Sequence, residues 1–159
     1  MNSMNKGDRM KVFLAMPYSQ LCNNKYEVKS KYKEFFFGLT DELKKMNCEY
    51  FLAHERENWG KMYSSAEEST IIDYKTIKSV DLVCIIPGVP NSGGVHVEMG
   101  WASANKKPLK IFLRNDYFYS PMVTGIHSLT KTDYIYYNED YSKELIWLII
   151  NEIKKYFNI

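Results

Sequence analysis

The chain has 159 residues, 45% hydrophobic, 25% charged and 15% aromatic. Its 21 Lys and Arg nearly balance 19 Asp and Glu, leaving a formal charge of +2. That composition excludes a disordered chain, fits a single domain, and gives no reason to expect the clustered basic face of a nucleic-acid binder.

The N-terminal MNSMNKGDRM is polar and lacks an apolar signal core. Residues 1–9 are expected to form a flexible tail and 10–159 one folded domain. No apolar run reaches the roughly 18 residues that span a bilayer, so a cytoplasmic protein without membrane contact is expected. Cys22, Cys48 and Cys84 show no CxxC spacing and read as reduced thiols.

KVFLAMP (11–17) predicts a buried strand, ended by a Pro-containing turn. Residues 25–46 carry Val28, Tyr32, Phe35, Phe36, Leu39 and Leu43 at helical spacing. EYFLAH (49–54) predicts a second strand, and RENWGKMYSSAEE after it a loop. Ser64 or Ser65 is placed to cap the next helix. That helix is expected to run to about Val80, with Ile71, Ile72, Ile77 and Val80 as its packing side. DLVCIIPG (81–88) is nearly all apolar, as in a strand covered on both faces. Asp81 at its start reads as a turn or cap residue.

A turn, GVPNSGG, precedes a helix over 95–107. LKIFLRN (109–115) and DYIYYN (133–138) predict two further strands, separated by a loop with a short helix. Residues 141–158 close the chain as an amphipathic helix. Strands alternating with helices predict an α/β domain with a five-stranded parallel sheet flanked by helices on both faces.

Ligands of such sheets bind beyond the carboxyl ends of the strands. The loops concerned are AMPYSQLCNN, AHERENWG, PGVPNSGGVHVE and RNDYFYSPMVTG. In the third, Ser92, Gly93 and Gly94 precede a helix, whose free N–H groups make an anion site. The pattern is neither GxGxxG nor GxxxxGK[ST], and a capped turn is the plainer alternative. Glu98 falls in about the first turn of that helix, where the dipole favours a carboxylate. An ionised carboxylate there could attack a sugar carbon whose phosphate rests on the loop. Asp73 interrupts an apolar run and either meets solvent or points into the cleft. Two carboxylates suit glycosidic cleavage, one as nucleophile and one handling the proton. Tyr18, Trp59 and Tyr63 could stack on a base or simply cover the core. His54 ends the second strand and reads as structural or site-lining; His96 and His127 offer less. No His, Cys and Asp spacing suggests a metal, so no cofactor is expected.

The stretch DLVCIIPGVPNSGGVHVEMGWASANKKP resembles the signature of the nucleoside 2-deoxyribosyltransferase superfamily. AHERENWG and SGGVHVEMGWASA are similar to its nucleoside 5′-monophosphate N-glycosidases, of the CMP or hydroxymethyl-CMP hydrolase type. The resemblance covers roughly residues 11–128. It implies a Rossmann- or flavodoxin-like fold and cleavage of a pyrimidine nucleoside 5′-monophosphate into free base and (deoxy)ribose 5-phosphate. It implies Glu98 as the nucleophile that forms a covalent intermediate, and Asp73 as the residue assisting proton transfer and sugar positioning. It further implies Ser92 and Gly94 at the phosphate, and Tyr18 and Ser19 on a loop closing over the nucleotide. His54 and Trp59 complete the expected substrate contacts. YSPMVTG resembles a phosphate-binding stretch supplied by the neighbouring subunit, so a homodimer with Ser120 acting in trans is expected. The loop PYSQLCNNKYEVK departs from the compact Gly-rich turn of the deoxynucleotide hydrolases. Other readings are a deoxyribosyltransferase, a cytokinin-activating-type phosphoribohydrolase and a non-catalytic nucleotide-binding module.

Overall fold

A computed structural model of the protein describes residues 9–62 and 64–159. The expected tail lies outside the described residues apart from Arg9, and so does Tyr63.

Five strands form one parallel sheet in the order β2-β1-β3-β4-β5. They are β1 (Lys11–Ala15), β2 (Glu49–Leu52), β3 (Leu82–Ile85), β4 (Leu109–Arg114) and β5 (Thr132–Tyr137). The helices are α1 (Ser30–Lys45), α2 (Ala53–Arg56), α3 (Ala66–Ser79), α4 (Gly93–Ala104), α5 (Pro121–Thr124) and α6 (Lys143–Phe157). The arrangement is the flavodoxin-like order, with its topological switch point between β1 and β3.

Alternation along the strands explains their continuous hydrophobicity. Val12 and Leu14 of β1 join Phe36, Leu39 and Ile149 in the core under α1 and α6. Phe13 and Ala15 face the opposite way, into a second core with Ile77, Val95 and Met99 of α3 and α4. Side chains of period two therefore meet an apolar layer on either face. In β4 the buried Lys110 breaks the pattern. It is neutralised by Asp133 at 2.6 Å and Glu152 at 2.8 Å.

The expected strands are longer than the observed ones. β1 ends at Ala15, β2 at Leu52 and β3 at Ile85, because the chain leaves the sheet as soon as its pairing partners end. Residues 53–56 turn into α2, so His54 lies on a helix rather than at a strand end. α1 starts at Ser30 rather than 25, and Val28 is buried in the loop ahead of it. α4 starts at Gly93 and ends at Ala104. Asp81 takes its turn role, its side chain accepting the Lys11 N–H at 3.0 Å.

The packing side of α3 also differs. A capping box sets its start, with Ser65 accepting from Glu68 N–H and the Glu68 side chain accepting from Ser65 N–H. From there Asp73 and Ile77, four residues apart, share the inward face, and both are buried. Ile71 and Ile72 are exposed instead.

The segment between α2 and α3 depends on one glycine. Gly60 has φ +94°, and a Cβ there would lie 2.3 Å from the Tyr26 carbonyl oxygen. Gly60→Ala is therefore expected to lower stability by about 1–2 kcal/mol for the left-handed backbone alone, and further for the clash. The midpoint of urea unfolding measures this, and an unchanged midpoint would contradict it.

Candidate active site

The loops leaving β1, β2 and β3 converge at the switch point. Gly88 permits that closeness. Its φ is +91°, and a Cβ would come within 2.7 Å of the Pro17 ring. Gln20 ties the same two loops by donating to the Pro90 carbonyl at 2.7 Å. The result is a cleft of about 310 Å³. Tyr18 and Ser19 line it from the β1 loop, and Arg56 and Glu57 from α2 and its end. Asp73 of α3 and Ser92, Gly94 and Glu98 of α4 complete its polar lining, with Ser64 and Ser69.

α4 opens at the cleft with Ser92 as its N-cap residue. The Ser92 side chain makes no capping bond, so its hydroxyl is not committed to its own helix. Beside it Gly93 and Gly94 are exposed, and a Cβ on Gly94 would meet nothing nearer than Ser92 Oγ at 4.0 Å. Unobstructed N–H groups at the start of a three-turn helix form an anion cradle.

Glu98 lies one turn further in than its expected place, because α4 begins at Gly93. The helix dipole falls off beyond the first turn, and the carboxyl is partly buried beside a second one. Burial first, and the nearby Asp73 second, raise its pKa to about 8, with Arg56 opposing. The dipole expected to favour an ionised Glu98 is thus opposed by burial, which favours the protonated form.

Asp73 is buried on α3, and Arg56 Nη1 donates to its Oδ1. Burial raises its pKa, and the Arg56 guanidinium holds the rise in check. Arg56 Nε also donates to Glu57 Oε1 at 2.8 Å. Burial alone would raise Glu57, but the Ser64 N–H and Arg56 outweigh it and keep this carboxylate below its ordinary range. Two carboxylates thus pair with one guanidinium, and a third carboxyl, its pKa raised to about 8, lines the same cleft. Such a pair of unlike carboxyls can divide nucleophile and acid roles.

Arg56 and Glu57 were not singled out by the sequence. Both occur in AHERENWG, at the right end of the sheet, but an adjacent Arg-Glu pair in a polar segment has no distinctive spacing. The structure also separates three expected substrate contacts from the cleft. His54 is fully buried behind Tyr18, stacked on Phe36 with ring centroids 4.2 Å apart. Its Nε2 donates to the Pro17 carbonyl at 2.8 Å, and burial lowers its pKa to about 4, so it stays neutral. It supports the β1 loop and does not line the cleft. Trp59 packs on Phe36 and Phe37, centroids 5.9 and 5.0 Å away, and also leaves the cleft lining. Ser120 caps α5, accepting from Met122 N–H at 3.2 Å, and does not reach the cleft of its own chain. Among the described residues, no group of three or more His, Cys, Asp or Glu is arranged to hold a metal. No helix among them is long and apolar enough to cross a membrane.

No protein-family model matches the sequence, and no curated protein matches it either. Solved structures do. The solution structure of BlsM shares 31% identity and a TM-score of 0.71, over 97% of both chains. The structure of the Clostridium botulinum CMP N-glycosidase BcmB shares 28% identity and a TM-score of 0.67, over 92% of this chain and 98% of that one. The chain belongs to the nucleoside 2-deoxyribosyltransferase-like superfamily. A conserved protein from Enterococcus faecalis V583, at 15% identity and TM-score 0.66 over 94% of this chain and 99% of that one, shares the fold.

The proton on Glu98 has a measurable consequence. Its ordinary value of 4.5 in the unfolded chain rises to about 8 on folding. Its contribution to stability is complete below the first value and is lost as pH rises through the second. Glu98→Gln removes that loss. The stability of the variant relative to wild type is expected to increase between these two pH values, as read from urea midpoints. A relative stability that falls across the same window would contradict the assignment.

Proposed function

We propose that this protein is an N-glycosidase of pyrimidine nucleoside 5′-monophosphates, with CMP or a modified CMP preferred. It releases free base and (deoxy)ribose 5-phosphate. One observation carries the reading: two carboxyls, Glu98 with its pKa raised to about 8 by burial and Asp73 paired with Arg56, line one cleft with the open N-terminus of α4. Similarity to BcmB, a CMP N-glycosidase, supports the same substrate class.

The phosphate rests on the first N–H groups of α4 and the Ser92 hydroxyl. This sets the sugar's anomeric carbon over Glu98, and positioning of that kind lowers a barrier by several kcal/mol. Glu98 passes its proton to Asp73 and attacks C1′. The C1′–N bond breaks, its electron pair leaves with the base, and Asp73 delivers the proton to it. Asp73 then takes a proton from water as the oxygen attacks C1′ and displaces Glu98. Returning that proton to Glu98 restores the resting pair. The base stacks on Tyr18, the aromatic side chain that lines the cleft among the described residues.

The proposal includes a second copy of the chain. Ser120 lies outside its own cleft, and its neighbours Phe118 and Met122 are 87% and 82% exposed. Apolar side chains so displayed suit an interface. In a symmetric dimer they would carry Ser120 to the partner's phosphate.

A panel of ribo- and deoxyribonucleoside monophosphates, with base release followed by chromatography, tests the reaction. Glu98→Ala should lose at least roughly 1,000-fold in turnover while nucleotide binding remains measurable by calorimetry. Near-wild-type turnover in that variant removes the nucleophile. Base exchange on unphosphorylated deoxynucleosides would instead identify a transferase.

The trans arrangement has its own test. Glu98→Ala and Ser120→Asp chains are each expected to be inactive, the latter by repelling phosphate. Mixing them after unfolding should restore about a quarter of wild-type activity, since half the dimers are hybrids with one intact site. No recovery would overturn the arrangement in which Ser120 acts in trans.

A further inference from the structure

Arg56 takes no part in the bond changes above, yet it is held at their centre. Nε donates to Glu57 at 2.8 Å, and Nη1 donates to Asp73. Glu57 is itself buried and fixed, accepting the Ser64 N–H at 2.9 Å through its other oxygen. The guanidinium carbon lies 5.3 Å from the centroid of the Phe51 ring. Two ion pairs and one ring face leave the planar group a single orientation, and a planar donor fork fixes the carboxylate it binds.

We propose that Arg56 is the positioning residue of the carboxyl pair. Braced on Glu57, it aims Asp73 at Glu98 and keeps the protonated Asp73 a strong enough acid to give its proton to the departing base. This inference rests on the N-glycosidase reading and assigns a role that neither carboxyl performs alone.

The groups that face the pair come from several elements. α2 and its end supply Arg56 and Glu57, α3 supplies Asp73, α4 supplies Glu98, and the β1 loop supplies Tyr18. Arg56 is the only cation among the described residues lining the cleft. It opposes the proton affinity of both Asp73 and Glu98. Without it, burial and mutual repulsion act unopposed, and both carboxyls keep their protons to higher pH.

Two substitutions separate geometry from charge. Arg56→Lys keeps the cation but loses the planar fork. It is expected to lower kcat roughly 100-fold, with KM and the acidic limb of the kcat/KM profile close to wild type. Arg56→Gln loses both features. Its acidic limb should move to higher pH, and the carbon-13 titration of the Glu98 carboxyl should move with it. A Lys variant with wild-type kcat overturns the proposal, and that variant decides alone if Arg56→Gln does not fold. A Glu98 titration midpoint unmoved in Arg56→Gln also overturns it. The titration needs no turnover. A shifted midpoint alongside a wild-type protein that releases no base from any nucleotide supports Arg56's hold on the pair and overturns the glycosidase reading alone.

Discussion

The cleft is built around an electrostatic deficit. Glu57, Asp73 and Glu98 surround a single guanidinium, and full ionisation would leave two uncompensated negative charges in a partly buried space. Removing even one unpaired charge from water is costly. The protein meets the deficit by dividing the carboxyls into classes. Glu57 is bound on both oxygens and its pKa is held below the ordinary range, Asp73 is paired on one, and the pKa of Glu98 is raised to about 8. The least compensated group is the one that faces the anion cradle.

The sheet makes this grouping possible. Helices cover both faces, so the side chains of the central strands β1 and β3 are almost all buried. The loops at the β1 and β3 ends run to opposite sides of the sheet and leave a gap between them. Gly88 narrows that gap to van der Waals contact with Pro17. His54, neutral and stacked on Phe36, holds the Pro17 carbonyl from below. These contacts are structural, yet they decide where Tyr18 and Ser19 stand relative to Glu98. His54 acts one layer behind the cleft through the backbone it supports.

The sequence made the sheet legible because its central strands, β1 and β3, are short and apolar on both sides, a pattern few other environments demand. Glu98, Ser92 and Gly94 were legible because a Gly-rich turn before a helix has a specific physical use. Asp73 stood out as an acid within an apolar run, but the neighbours that made it conspicuous, Ile71 and Ile72, point outward in the structure. Asp73 lines the cleft, while the helix face inferred from its neighbours is not the packed one. The capping box at Ser65 sets that face, and hydropathy alone does not reveal rotation. Arg56 and Glu57 escaped notice because an ion pair in a loop is ordinary in sequence and becomes distinctive only when burial and partners are known. Trp59 was over-read for the opposite reason. A loop tryptophan suggests stacking on a ligand, but this one packs against Phe36 and Phe37 and does not line the cleft.

The commitment of Arg56 to carboxylates also bears on how an anion is held. A phosphate site usually recruits Arg or Lys, and the lining of this cleft has no other cation among the described residues. The single positive charge of Arg56 is already shared between Asp73 and Glu57. The anion therefore falls to neutral donors, the N–H groups at the start of α4 and the hydroxyls beside them. Such donors leave the charge balance of the carboxyl pair unchanged, so the anion can be gripped without altering the proton affinity of Glu98 through a competing cation. They are also weaker individually than a charged fork. In the dimer proposed above, a further hydroxyl from Ser120 of the second chain would offset that weakness.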